Sequence, residues 1–552
     1  MVRAGAIIAG ALLSVAVLAH APDPAPAARN AVPARLLEGM GGYRFDIAAS
    51  DPLAQRYFDQ GIVLAWGFNF AEAERSFIEA ARLEPDCAIC WWGAAYARGP
   101  SINHDMDPAA LAAARAHIRR ATQLLPRASA RQRALIEALG KRYAAGAKRP
   151  GAPDDSAYVR AMRAVYQRHP DDTDVLTLLA DALMVPHGRD FWTRSGAPRP
   201  WTHEILGLLE RALALAPDHP GANHYYVHVL EDSPYPERAR ESAQRLQTIA
   251  PGVAHLVHMP AHVLLRLGDY AGAAQANRNA IAADRAYLAT TDADPAYVAG
   301  YVEHNYHFLW YASLMAGDSH SAMAAAQELA RYAGSDAAAG IARGTRQHFL
   351  ALPLYTMVRF GQWQAILDAP RPAPASAYAD GVWRYARGMA LLRTGQAGPA
   401  GEERARLGEE WRRAQRDRAA LKNVIPLAKL LAIPARLLEA ELAAAAGDFE
   451  RSIERAREAV RIESALEADE PPAWHMPSRH TLGARLLEAG RAEEAERVYR
   501  DDLGVHPENG WSLAGLAASL ERQGKSAAAD EVRARLGRAW ASADVAIAGS
   551  RL

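Results

Sequence analysis

The chain is poor in cysteine, in net charge and in long apolar runs, and each scarcity removes a class of protein. Two cysteines among 552 residues, Cys87 and Cys90 in CAIC, are too few for a disulfide-built scaffold. A four-thiolate zinc site would need a second C-x-x-C, and haem attachment would need histidine where Trp91 stands. The pair is left as a static disulfide, spare thiols or a dithiol redox couple, and no thioredoxin-like βαβ pattern surrounds it. Lys plus Arg and Asp plus Glu both number 63, so the formal net charge is zero and the electrostatic footprint of a nucleic-acid binder is missing. Past the first residues no segment is long and apolar enough to span a bilayer, and no β-rich stretch stands out.

The one apolar run, Ala4 to Leu18, follows Arg3 and ends in Ala19-His20-Ala21, the pattern of a cleaved export leader over residues 1–21. It falls short of the roughly 20 residues a spanning helix needs. A periplasmic or secreted protein is expected, beginning near Pro22 with a flexible Pro- and Ala-rich lead-in over 22–50.

From there helical periodicity hardly stops. In QRYFDQGIVLAWGFNFAEAERSFIEAARLEP, the residues Gly61, Leu64, Ala73, Phe77, Ala80 and Pro85 run small, bulky, small, aromatic, small, proline. Small residues let two helices of a hairpin approach, larger ones fill the gap, and proline ends the second helix. The order resembles the tetratricopeptide repeat, whose period is 34 residues. The expected fold is therefore all-α, a superhelical solenoid of roughly a dozen hairpins. Hairpins with inserts fill 51–217, a His-rich centre 218–370, and further repeats 371–552, with turns at Gly268, Gly317, Gly361, Gly395, Gly447 and Gly490. The insert 185–201, carrying Trp192 and Trp201, reads as a folded flap over the centre, with the 99–107 loop as a second cover.

Seven of the 19 histidines lie between Asn223 and His307, where even spreading would put about three. They are His224 and His228 in HYYVH, His255, His258 and His262 in AHLVHMPAH, and His304 and His307 in EHNYH. His258 and His262 follow His224 and His228 by 34 residues, one repeat. Numbered within their repeats, His224, His258, His307 and His480 hold the fifth place, His228 and His262 the ninth, and His255, His304 and His348 the second. Places two, five and nine share one helix face, which in tetratricopeptide arrays lines the concave groove.

Three roles fit that face: a transition-metal site, a groove for a small molecule or partner peptide, and helix-to-helix hydrogen bonding. An i, i+4 histidine pair can bind one ion, and two such pairs side by side can bind two. Imidazole suits copper, zinc, iron or nickel, with copper redox chemistry slightly ahead of zinc hydrolysis. The expected ligands are His224, His228, His255, His258, His262, His304 and His307, with His348 and His480 as weaker candidates. HYYVH and HMPAH hold no internal glutamate, so a zincin mechanism does not transfer. Asp181, Glu231 and Glu303 are the carboxylates expected to hold imidazole N–H groups. Tyr225, Tyr226, Tyr301, Tyr306 and Arg266 are candidates to orient substrate or carry protons. The rival reading is a non-enzymatic scaffold that grips a partner peptide in the same groove.

The blocks HYYVHVLEDS, AHLVHMPAHVLLRLGDY, EHNYHFLWYASLMAGD and EPPAWHMPSRHTLGARLLEAGRAEEAERVYRDDLGVHPENGWSLAGL resemble a widespread family of exported bacterial tetratricopeptide proteins. The resemblance implies export and the solenoid over nearly the whole mature chain, and it brings no activity with it.

Overall fold

Helix starts along the chain are set by short polar side chains. Asp51, Asp107, Ser129, Asp154 and Asp172 each accept a hydrogen bond from a backbone N–H of the helix that follows, which satisfies one of its orphan donors. At the other end of the hairpin logic, Gly268, Gly317, Gly361, Gly395, Gly447 and Gly490 all adopt positive φ, between 66° and 81°. These are the six turns expected from the sequence, at a conformation glycine adopts without a Cβ penalty.

A computed structural model describes residues 34–144, 152–336, 338, 341–373, 376–416, 426–466 and 469–552. The expected leader, 1–21, and the first part of the lead-in lie outside them. The helices, in chain order, are α1 Pro52–Trp66, α2 Phe70–Leu83, α3 Ala88–Ala97, α4 Pro108–Gln123, α5 Ala130–Arg142, α6 Asp155–Arg168, α7 Thr173–Met184 and α8 Thr202–Leu215. The centre follows with α9 Pro220–Leu230, α10 Arg240–Ile249, α11 Ala254–His258, α12 Pro260–Arg266, α13 Tyr270–Thr290, α14 Glu303–Ala316 and α15 Ser319–Ala333. The last stretch holds α16 Arg343–Arg359, α17 Trp363–Asp368, α18 Ala377–Arg393, α19 Ala397–Arg416, α20 Leu427–Ala445, α21 Phe449–Ser464, α22 Ser478–Glu488, α23 Ala492–Val505, α24 Gly510–Arg522 and α25 Ser526–Ala539. Consecutive helices pair into about a dozen antiparallel hairpins, α11 and α12 together packing on α13. Among the described residues there is no strand, only two isolated bridges, so the fold is an all-α, tetratricopeptide-like solenoid.

Small residues sit where the repeat needs them. A Cβ added at Gly61 in α1 or Gly93 in α3 would meet the Phe77 ring of α2 at 2.8 and 2.4 Å. Near the other end, Gly483 in α22 and Gly515 in α24 face the Tyr499 ring of α23 at 2.3 and 2.2 Å. Glycine inside a helix costs about 1 kcal/mol relative to alanine; the aromatic ring that fills the space buries far more surface than a methyl group.

Two details depart from the sequence reading. Residues 34–50 are not a flexible lead-in: Phe45 is fully buried against Phe58 and Trp92, and Gly252 N donates to Gly39 O. The solenoid also curls until its end touches its middle. Trp511 Nε1 donates to Leu314 O at 3.0 Å, Trp540 fills the space beside Gly317, and Asp544 accepts from the Ser319 and His320 backbone N–H groups. The apolar core divides within the His-rich centre. One core runs to Val263, and the next starts at Ala261. No helix among the described residues is long and apolar enough to cross a membrane.

Candidate metal centre

The histidine-bearing helices α9, α11, α12 and α14 meet at that seam. His224 and His228 stand on α9, one turn apart. Pro260 splits the next histidine helix into α11 and α12 after Met259, yet the path stays helical, with His262 N bonded to Met259 O. His258 and His262 therefore repeat the α9 pair. Each pair is completed by the second-place histidine of the following repeat, His255 for the first and His304 for the second.

The two trios are nearly copies. In His224, His228 and His255 the ring centroids lie 4.6, 4.9 and 5.9 Å apart. In His258, His262 and His304 they lie 4.8, 4.9 and 5.9 Å apart. Each trio offers three nitrogens within 4.8 Å of one another. The trios adjoin, with His255 to His258 at 5.8 Å and His228 to His262 at 6.3 Å. Each carries one phenylalanine: Phe68 against all three rings of the first, Phe308 against all three of the second. Phe68 takes φ of 59°, a conformation that side-chain-bearing residues avoid, at the turn that brings its ring over the first trio.

Hydrogen bonds decide which nitrogen each ring presents. His224 Nδ1 meets the Trp66 carbonyl, which can only accept. His228 Nδ1 lies 3.0 Å from Glu231 Oε1, and His262 Nδ1 lies 3.0 Å from Glu231 Oε2 and also bonds Glu470. His258 Nδ1 is 2.8 Å from Asn277 Oδ1, whose amide is oriented by donation of Nδ2 to Ala273 O. In His224, His228 and His258 the proton sits on Nδ1, so the Nε2 lone pair faces the trio. His262, held between two carboxylates, presents its Nε2 lone pair once it gives up its second proton. Nε2 of His224 and of His228, and both ring nitrogens of His255, are buried without a hydrogen-bond partner. His262 Nε2–H donates to His258 Nε2 at 2.9 Å, a bond that an ion between the two nitrogens would replace. Two ligand nitrogens on a tetrahedral ion with 2.0–2.1 Å bonds would stand about 3.3 Å apart.

The electrostatics differ between the trios. Burial holds His224 and His255 well below the usual imidazole range, with neighbouring imidazoles adding to it, and it also lowers His228 against the pull of Glu231. In the second trio His258 and His304 are held low by burial and by adjacent imidazoles. His262 is the exception: burial opposes its charge, but Glu231 and Glu470 outweigh it and push the pKa up to about 9. Glu231 is fully buried; burial would raise it, but Arg189 first and then His262 hold it well below the carboxylate range. Arg189 comes from the 185–201 insert and bridges Glu231 and Glu470, so the expected flap does reach the centre.

The remaining candidates fall elsewhere. Glu231 is the only one of the three expected carboxylates that holds imidazoles. Asp181 accepts from Tyr96, behind Tyr225, and burial raises it to about 6. Glu303 is buried and raised to about 8, with Asp284 adding to the burial effect. Tyr226 turns to Glu210, Tyr306 to Arg285, and Arg266 to the Ser233 carbonyl; Tyr301 and Tyr225 pack on the first trio, against His255 and His224. His480 belongs to no trio, because its Nδ1 faces Arg359 and its Nε2 faces Asp502 and Asn509, which leaves no free lone pair. His307 and His348 stand together beyond the second trio. Cys87 and Cys90 form a disulfide that caps α3.

The open concave groove expected for the histidines is filled. His224 and His258 are 0 % exposed, and of the six trio residues only His304 is more than marginally accessible. Sequence reasoning missed Glu470, Arg189, Asn277, Phe68 and Phe308. It also missed His475, whose HMP repeats the HMP at His258 and was a usable signal.

No family model matches the chain, and no curated protein matches it. Among solved structures, a human IFIT1 dimer with m7Gppp-AAAA is similar at 12% identity, covering 90% of this chain and 91% of that one, with a TM-score of 0.31. A structure of Naa15/Naa10 bound to HypK-THB is similar at 14% identity, covering 88% of this chain and 71% of that one, with a TM-score of 0.22. Likenesses this distant carry no argument about the site.

Proposed function

We propose that the chain is an exported metalloprotein that binds two transition-metal ions side by side, one on Nε2 of His224, His228 and His255 and one on Nε2 of His258, His262 and His304. The observation that carries this is the set of Nδ1 anchors on Trp66 O, Glu231 and Asn277, which turns the lone pairs of both i, i+4 pairs inward. In the first trio Nε2 of His224 and His228 and both nitrogens of His255 have no protein partner, unlike His480, which spends both of its nitrogens. In the second trio the Nε2 atoms of His258 and His262 bond each other, a contact that an ion would replace. Three imidazoles per ion leave an open coordination position, the mark of reactive rather than structural sites.

Copper is the ion of choice, since an all-imidazole set suits it and affinity peaks at copper among divalent first-row metals. Bound there, it would supply one-electron chemistry to a substrate small enough for an interior site. The chain's own part is to hold neutral imidazoles, to place Glu231 and Glu470 as compensating charge, and to keep bulk water out with Phe68 and Phe308. Zinc, with a bound water as hydrolytic nucleophile, is the second reading, favoured by the same open position. Export is supported by the expected leader and by the Cys87–Cys90 disulfide, a bond that persists in oxidising compartments. A peptide-binding scaffold draws no support from the histidines, because burial takes them off the surface such a partner would touch.

The test is elemental analysis of untagged protein with electron paramagnetic resonance. Two equivalents of metal are expected, falling to one in His224→Ala/His228→Ala and to one in His258→Ala/His262→Ala. A copper signal with all-nitrogen hyperfine structure selects the first reading, and stoichiometric silent zinc selects the second. Metal content that neither double variant changes would overturn both.

A further inference from the structure

Beyond the second trio the same construction occurs once more. His307 lies three residues after His304 on α14, and His348 is the second-place histidine of the following repeat, on α16. Their ring centroids are 5.8 Å apart, within the 5.9 Å that spans each of the first two trios. A phenylalanine again accompanies them, Phe349, at 5.2 Å from His307. The third imidazole comes from far along the chain: His475, in the segment before α22 that also supplies Glu470. Its ring packs on Trp310 at 5.1 Å and on Tyr355 at 4.4 Å, and both of those rings also face His348.

All three histidines are buried, His307 at 8 % exposure and the other two at 1 %. His307 Nε2, His348 Nε2 and both nitrogens of His475 have no hydrogen-bond partner. Buried polar atoms are ordinarily paired, so four unpaired imidazole nitrogens in one cluster need a reason. His348 Nδ1 is 2.9 Å from the Tyr378 hydroxyl, which is 3.2 Å from the Tyr355 hydroxyl. The Tyr378 hydroxyl occupies Nδ1 and leaves Nε2 as the nitrogen of His348 without a protein partner.

We propose that His307, His348 and His475 hold a further metal ion, and that this ion is monovalent copper. The charge argument selects it. The first two trios have Glu231 and Glu470 beside them, whereas no carboxylate is bonded to any of these three imidazoles, and the charged group that weighs on His475 is the cation Arg359. A buried, aromatic-walled site without an anion holds one positive charge at far lower cost than two. Three neutral imidazoles meet the needs of monovalent copper with no further ligand. The three residues are not drawn together as closely as the trios, so binding requires the His475 side chain to turn toward His307 and His348. The proposal does not depend on what the first two trios bind.

The experiment is anaerobic titration of the full chain with copper(I) in competition with bicinchoninate, and a parallel titration with Zn²⁺. Wild type is expected to take up three equivalents of copper(I) but two of Zn²⁺. His475→Gln and His348→Gln, each checked for an unchanged far-ultraviolet spectrum and melting curve, are expected to take up two of each. Two variants at separate positions keep the count readable should one fail to fold. A wild-type copper(I) count of two, or a third equivalent that both variants retain, overturns the third site and leaves the two-ion reading standing. A single copper(I) equivalent in the wild type that both variants lose supports this site alone.

Discussion

The two trios share a backbone plan and differ in charge. His224, His228 and His255 are all neutral imidazoles, whereas in His258, His262 and His304 the middle residue carries a proton up to about pH 9. The repeat explains the likeness: a 34-residue translation along stacked helices carries a pair of histidines onto an equivalent pair. The difference comes from parts that do not repeat. Glu470 reaches His262 from 208 residues away, and Arg189 arrives from an insert in a different hairpin. Repetition duplicates a site's geometry, and irregular segments then set the electrostatics of each copy separately.

That contrast can be broken at the one residue both trios share. Glu231→Gln removes the negative charge that faces both His228 and His262, leaves one accepting oxygen in place of two, and leaves Arg189 paired with Glu470. Metal affinity at both trios should fall about 10- to 100-fold, with a loss of about 3 kcal/mol of stability from the disturbed buried ion pair. Competition titration and denaturant melts read the two effects. A narrower change is Asn277→Ala, which frees only the His258 Nδ1. It should weaken the second trio about tenfold while the first keeps its wild-type affinity, and equal weakening of both would contradict the assignment.

Proton linkage sharpens the comparison further. With a pKa of about 9, His262 holds a proton at neutral pH that an incoming ion must displace. Affinity at the second trio should therefore rise roughly tenfold per pH unit from pH 7 toward 9 and then level off. The first trio has no such proton, so its affinity should stay flat over the same range. Titrations on the two double-histidine variants separate the slopes. The smallest effect concerns Cys87 and Cys90, whose disulfide closes a three-residue span at the start of α3. Reduction should change metal stoichiometry at neither trio, and loss of metal on reduction would tie the pair to the centre.

Much of this was legible before any coordinates. The hairpin period, the six turn glycines and the alignment of His224 with His258 and of His228 with His262 all follow from local pattern, because a repeat writes its geometry into its spacing. Helix starts are less legible: Pro434, a residue type that often opens a helix, sits inside α20, which begins at Leu427. Burial was not legible at all. The histidine face is covered by Phe68 from the turn between α1 and α2, by Phe308 and by Glu470. These contacts join segments far apart in the chain and leave no periodic trace. His475 was the exception, since its HMP matched the HMP at His258.

The central claim is that ions bind at both trios through Nε2. Copper-edge anomalous diffraction from crystals of untagged, copper-loaded protein tests it most directly. The account predicts a peak about 2.0–2.1 Å from three Nε2 atoms in each trio. Peaks confined to surface residues, or ligation through Nδ1 with Glu231 and Asn277 displaced, would contradict it.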